Sequence, residues 1–507
     1  MMSKTAKKAL IAGAACLVLA IAAVILLLTA PKKEQENSSE ASVSQSQEVQ
    51  IIGKSADNVL AISVKNEHGS FTFNRKTRAS SSDDGTVAAS YYWTSDELLG
   101  VGQSDSAVRS FIGGFASLTA KSVVEENAED LEKYGLKSPR ATVSLTFDDG
   151  TKTELLFGIE NPSNTSTVYF KEGDRVMLAY TGDVSGAFDD IKDYANLLIT
   201  KSLGDEENVD YITITRKDLE EPVEIRYMSE LEAARDDENY VVSTLNTHRF
   251  TSPYNAEINV SKGGTLVGGV CGLTMKECAY LESNAENMMK CGLDDPFCTV
   301  VFSYGGEERT LLLGDKVKQV VSESSSDTPQ LYEVTGYYAT LVGVPGIFVI
   351  STQAAPWYDF NPADYVSARP LSPYIYGCES VEISVSGKVY TFEINVEGKT
   401  ALLGGKTLDG ENFRKFFEQL AGSIGEEVYT GEAVGEPAVT VKFTYTEDYA
   451  KLYGAKENTL GFYGESERKN IVTLDGKPVF KVRSVYVERL LENIQKLENG
   501  EDVNIVW

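Results

Sequence analysis

Apolar and polar residues alternate in the same way along three widely separated stretches of this chain. Pro139-x-x-Thr142-Val143-x-Leu145-Thr146-Phe147 returns as Pro296-x-x-Thr299-Val300-x-Phe302-Ser303-Tyr304 and again as Pro437-x-x-Thr440-Val441-x-Phe443-Thr444-Tyr445. Proline, with a fixed φ and no N–H to donate, is tolerated where a strand begins but not inside its ladder. Beyond it Ala141, Val143, Leu145 and Phe147 fall on one face and Thr142, Ser144 and Thr146 on the other, the period of a half-buried antiparallel strand. Cys298, Val300, Phe302 and Tyr304 repeat the inward set, as do Val439, Val441, Phe443 and Tyr445. Recurrence of this kind marks one module used three times.

A helical period appears before each shared strand. Val108, Phe111, Ile112, Phe115 and Leu118 form one apolar stripe, and Phe413, Phe416, Phe417, Leu420 and Ile424 form another. Gly113-Gly114-x-x-x-Leu118-Thr119-x-Lys121 returns as Gly268-Gly269-x-x-x-Leu273-Thr274-x-Lys276. Strands are predicted at 59–64, 70–74, 381–385 and 389–394, with hairpins through Glu172-Gly173-Asp174 and Asp475-Gly476. The expected fold is α+β: an N-terminal transmembrane helix followed by three tandem repeats, each an antiparallel sheet with one or two packed helices. The boundaries read as 1–30 for a cytoplasmic tip and anchor, 31–55 for a flexible acidic and Ser-rich stalk, 56–204 and 205–356 for the first two modules, 357–374 for an aromatic connector and 375–507 for a divergent third module.

Residues 9–30 carry no charge and would measure about 33 Å as a helix, enough to cross a bilayer core. Lys4, Lys7 and Lys8 precede them, so the positive-inside tendency puts the N-terminus in the cytoplasm and the bulk of the chain outside, a single-pass membrane protein. A cleaved signal peptide is the competing reading, and Cys16 raises lipid attachment, but the apolar run is longer than either needs. The whole chain has a formal charge of −28, with three lysines the only charges in its first thirty residues, which disfavours nucleic acid as a partner.

Candidate chemistry is sparse. Cys271, Cys278, Cys291, Cys298 and Cys378 lie outside the apolar run, and the first four form two equally spaced pairs that invite a disulfide or metal reading. The repeat favours apolar core thiols instead, because Cys298 stands where the other copies have Ala141 and Val439, Cys291 where the first has Tyr134, and Cys271 where it has Ala116. Whether any of them are bridged is left open by spacing alone. Only His68 and His248 are present, which removes most histidine-dependent hydrolase and metal arrangements. No catalytic, cofactor-binding or metal-binding residue is assigned, no cofactor is expected, and the chain reads as non-enzymatic. The repeated Asn127-Ala128-Glu129 and Asn284-Ala285-Glu286 read as caps of short helices that Gly135 and Gly292 end. Trp93, Trp357 and Tyr358 are possible stacking surfaces for a sugar.

The run from Glu129 through Asp130, Leu131, Glu132, Lys133, Tyr134, Gly135, Leu136, Lys137 and Ser138 to Pro139, followed by the alternating strand and Leu155-Leu156-Phe157-Gly158, resembles a bacterial family known only as a domain of unknown function. That family is membrane-anchored and often encoded beside gliding-motility-type ABC transporter components. The resemblance is closest over residues 93–180, weaker through the second copy and weakest in the third, which lacks the Tyr-Gly-Leu element. It implies a non-enzymatic auxiliary or scaffold component at the cell envelope with ABC transporter membrane components as partners, and it supplies no site residues. The alternative is a cell-wall or polysaccharide-binding surface protein.

Overall fold

Each Pro-led strand has neighbours that alternate as it does, so it can be flanked on both sides and sink into the middle of a sheet. In the computed structural model this happens three times. The structure describes residues 48–506 except 82–86, 205–206, 229–246, 255, 323–330, 372, 396, 399, 422–424 and 454. The expected membrane helix at 9–30, and the stalk as far as residue 47, lie outside the described residues. Among those described, no helix is long and apolar enough to cross a membrane.

The first sheet has the order Val87–Thr94, Gly69–Ser81, Val59–Asn66, Ala141–Phe147, Lys152–Asn161, Asn164–Glu172, Arg175–Tyr180 and Ser122–Glu125. The second runs Ala256–Glu257, His248–Ser252, Val223–Tyr227, Val209–Arg216, Cys298–Tyr304, Glu307–Ser322, Leu331–Leu341, Ile347–Ser351 and Glu277–Tyr280. The third runs Lys406–Thr407, Thr400–Leu403, Lys388–Asn395, Cys378–Val385, Val439–Tyr445, Glu457–Gly464, Lys469–Leu474, Lys477–Arg483 and Glu427–Val428. A fourth, two-stranded sheet pairs Val49–Gln50 with Thr119–Ala120.

The α+β expectation is therefore corrected. Among the described residues the fold is mostly β, 45% strand against 21% helix, because an outer strand and four meander strands follow each of the three longer helices that cross between sheet edges. The short helix expected after Asn127 is a 3-10 turn at Glu132–Tyr134, and two further 3-10 turns, Ser185–Ala187 and Ile191–Tyr194, follow the last meander strand of the first sheet. One longer helix per sheet carries the chain from one edge to the other: Asp105–Ala116, Val260–Gly268 and Gly410–Ala421. In the third sheet Ser484–Asn499 packs beside Gly410–Ala421.

The copies agree down to an irregularity. Val59 faces Phe147 but Ala61 faces Thr146, so Leu60 is an extra residue. Val209 faces Tyr304 while Tyr211 faces Ser303, and Cys378 faces Tyr445 while Ser380 faces Thr444. The same one-residue bulge thus bends the same strand in every sheet. Beyond it Ile62, Ile212 and Val381 meet Leu145, Phe302 and Phe443, all buried in one core. Each such side chain contributes about 1.5–3 kcal/mol by leaving water.

The segments that lead into the sheets are built alike. The N–H of Ile51 donates to Leu118 O at 2.9 Å, and that of Ile199 to Leu273 O at 3.0 Å, so each lead-in segment lies on the Leu-Thr element that follows the helix of the sheet it enters. Residues 49–55, read from composition as the end of the stalk, belong instead to the first sheet's surroundings, with Ile52 buried and Lys54 ion-paired to Asp149 at 2.6 Å. Connector 357–374 joins the second and third sheets: Trp357 donates from Nε1 to Leu266 O at 2.8 Å, Arg216 donates to Phe360 O at 2.8 Å and Asn259 N donates to Tyr365 O at 2.7 Å on the second side, and Gly425 N donates to Ala368 O at 2.6 Å on the third.

Candidate functional site

The Tyr-Gly-Leu element occupies the sheet face opposite the main core. Leu136 N donates to Leu131 O at 2.9 Å, which closes the loop, and Gly135 takes a left-handed φ of 67°. Tyr134 and Leu136 then bury against Val176, beside Leu156 and Tyr169. The second sheet repeats this: Leu293 N donates to Met288 O at 2.9 Å, Gly292 has φ 64°, and Cys291 and Leu293 bury against Ile347, beside Leu312 and Tyr338.

Beneath each loop lies a glycine. A Cβ at Gly158 would stand 2.0 Å from Tyr134 O, and one at Gly314 would stand 2.2 Å from Cys291 O. No side chain fits there while the loop is seated. Pairing places Phe462 where the other sheets have Phe157 and Leu313, so Tyr463 stands where they have Gly158 and Gly314. The third sheet, which lacks the loop, also lacks the glycine.

At the rim of the first loop Glu125 accepts from Tyr134 Oη at 2.8 Å and pairs with Lys133 Nζ at 2.9 Å. Those two donors hold its carboxyl below the ordinary range. The repeated Asn-Ala-Glu element divides. Asn284 caps Ala285–Lys290 by accepting from Asn287 N at 3.0 Å, with Glu286 and Lys290 paired on that helix. Asn127 caps nothing; the turn after it is instead started by Asp130, which accepts from Glu132 N at 3.1 Å.

The five cysteines outside the apolar run are free thiols. Burial pushes Cys278 and Cys291 up to about 11, Cys298 to about 12, and Cys378 higher still. Such thiols stay protonated and make poor nucleophiles. Cys298 and Cys378 occupy core strand positions, while Cys271 is half-buried. His68 sits in the hairpin turn after Asn66, 4.0 Å from Asp190. His248 meets Val209 O at 2.7 Å. Asp189 is half-buried, its carboxyl raised by loss of solvent and steadied by Tyr194 Oη at 2.8 Å. Among the described residues no group of three or more His, Cys, Asp or Glu side chains could hold a metal ion.

Trp93, Trp357 and Tyr358 are all buried, so a sugar-stacking surface made by them is corrected to core and connector packing. Trp93 donates to Val59 O at 3.0 Å and Tyr358 to Gly314 O at 3.0 Å.

Sheet order, bulge and seated loop together define a class: a repeated antiparallel-sheet protein whose first two members carry a latched Gly-Leu loop, Tyr134-Gly135-Leu136 in the first and Cys291-Gly292-Leu293 in the second. Residues 93–240 match the family described as Domain of unknown function (DUF4340). The matched stretch takes in the first helix, the first loop with its glycine, the shared strand and the start of the second sheet. No curated protein and no solved structure matches the chain.

Proposed function

We propose that the chain is a non-enzymatic scaffold or auxiliary component at the cell envelope, attached to the membrane through its apolar N-terminal run and working beside an ABC-type transport system. The observation that carries this reading is the repetition itself. Three like sheets are joined by main-chain bonds through residues 197–201 and 357–374, a construction suited to presenting a fixed surface to partners. Protonated, buried thiols and two histidines tied to turn or main-chain positions add support, because neither set resembles an activated nucleophile.

Transport association is what the sequence resemblance implies. Co-purification of the full chain in mild detergent tests it, with permease and ATPase subunits expected in stoichiometric amounts. Recovery of the chain alone would sink the transporter part of the proposal.

A further inference from the structure

The first sheet differs from the other two at one edge. In the second and third, the strand at this place, His248–Ser252 or Thr400–Leu403, is flanked by a further two-residue strand, Ala256–Glu257 or Lys406–Thr407. In the first sheet the eight-residue strand Val87–Thr94 is outermost, and among the described residues no strand pairs with its far side.

Natural proteins guard such edges with charges, prolines or short strands. This one reads Val-Ala-Ala-Ser-Tyr-Tyr-Trp-Thr, with no charge and no proline. Among the described residues the guards lie at one end: Arg109 donates to Tyr91 O at 3.4 Å and Gln103 Nε2 donates to Trp93 O. Both acceptors are odd-numbered, so the odd residues turn their main chain away from the ladder. Among the described residues nothing bonds to those of Val87 and Ala89.

The neighbouring strand Gly69–Ser81 states what newcomer fits. Within a chain of net charge −28 it carries Arg75, Lys76 and Arg78 and no carboxylate. Arg75 is engaged with Asp148 at 3.5 Å, but Lys76 and Arg78, opposite Tyr92 and Ser90, make no ion pair among the described residues. Arg78 lies 4.9 Å over the Tyr92 ring. Beside them is an open groove of about 210 Å³ lined by Arg78, Tyr92, Thr94 and the largely exposed Leu99, with Asp105 at its rim held by Gln103 at 3.1 Å.

We infer that the outer edge of the first sheet, Val87–Thr94, accepts an extended acidic segment of a partner protein by strand addition. Main-chain bonds to the odd residues supply affinity, alternate carboxylates meet Lys76 and Arg78, and an apolar side chain enters the groove by Leu99. Charge selects this occupant over a second copy. Joining two copies edge to edge would set the two basic strands three strand spacings apart, with only uncharged Val87–Thr94 strands between them, so Lys76 and Arg78 would gain no carboxylate partner.

The inference gives the scaffold reading a docking place and is tested apart from transporter recovery. The full chain in uncharged detergent is mixed with a fluorescent, end-blocked octapeptide alternating Glu and Val, with a Lys-for-Glu version, and with a version carrying a central proline. The acidic peptide is expected to bind at least tenfold tighter than either control and to slow amide exchange within 87–91. The double variant K76E/R78E should reverse the charge preference, and Ala89→Pro, which removes one outward N–H, should abolish binding. Equal binding of the acidic and basic peptides, or binding without protection of 87–91, would overturn the inference. So would protection that rises with protein concentration in the absence of peptide, the mark of a second copy on this edge.

Discussion

The first two sheets and the third differ at two places far apart in sequence that touch in space. Where the loop is present, its carbonyl rests on Gly158 or Gly314; where Tyr463 replaces the glycine, the loop is missing too. On the corresponding face of the third sheet Tyr429 follows the outer strand instead, its N–H on Val479 O at 3.0 Å and its ring beneath Lys481 at 4.4 Å. The difference teaches that the Gly-Leu loop and the glycine at 158 or 314 are two halves of one contact. Each half is of little use to the fold without the other.

Putting a side chain under the loop is the strongest way to break this comparison. Gly158→Val should expel the loop and expose Tyr134 and Leu136, at a cost of about 3–5 kcal/mol. Tyr463→Val, the same residue at the matching place, meets no loop carbonyl and should cost under about 1 kcal/mol. A chain of this size does not unfold in one step, so amide exchange in residues 131–136 is the cleaner measure. Gly314→Val offers a chemical readout. In the native protein the Cys291 thiol, held near 11, is ionised to roughly one part in a thousand at pH 8. Once the loop is released its pKa falls toward the ordinary thiol value, and alkylation should accelerate by roughly a hundredfold. Cys298, pushed to about 12 in the main core, should remain slow, and equal acceleration of both thiols would show general unfolding and not loss of the latch.

A middle-sized effect separates the two latched loops from each other. Gly135 and Gly292 share a left-handed backbone, but an added Cβ at Gly135 meets Ile159 N at 3.0 Å and Ile159 Cγ2 at 2.7 Å. At Gly292 it meets only the Asp315 carboxylate, whose exposed side chain can swing aside. Gly135→Ala is therefore expected to cost about 2 kcal/mol and Gly292→Ala about 1 kcal/mol, close to the left-handed penalty alone. Amide exchange in residues 131–136 and 288–293 of the two variants checks the order.

The shared strands were legible because a period of two survives in any half-buried strand, and Ala141–Phe147 alternates strictly between buried and half-buried residues. The thiol positions were legible for the same reason, since Cys298 keeps the register of Ala141 and Val439. The seating of Tyr134 on Gly158 was not, because a contact between a carbonyl and an absent side chain leaves no mark in hydrophobic periodicity. Residues 49–55 looked like stalk because Gln50, Gly53 and Ser55 dilute two isoleucines, whose burial depends on Leu118 some 65 residues on. The outer edge was equally hidden. That Val87–Thr94 is outermost follows from a strand that the other two sheets have and this one lacks, which is a property of the pairing and not of the segment.

The smallest expected effect concerns the element that looked most alike in the two copies. Asn127-Ala128-Glu129 and Asn284-Ala285-Glu286 are identical in sequence, yet only Asn284 accepts from a main-chain N–H three residues on, at 3.0 Å. The helix after Asn284 runs six residues and returns an i,i+4 pair between Glu286 and Lys290 at 2.7 Å, whereas the first copy forms only the three-residue turn Glu132–Tyr134. Asn284→Ala should then cost about 1 kcal/mol, the usual worth of an N-cap, and Asn127→Ala about 0.3 kcal/mol or less. In the first copy the matching loss should come from Asp130→Ala, whose carboxylate holds Glu132 N at 3.1 Å. If Asn127→Ala proved as costly as Asn284→Ala by local amide exchange, the identical triplets would have identical duties, and the two loops would differ less than their hydrogen bonds state.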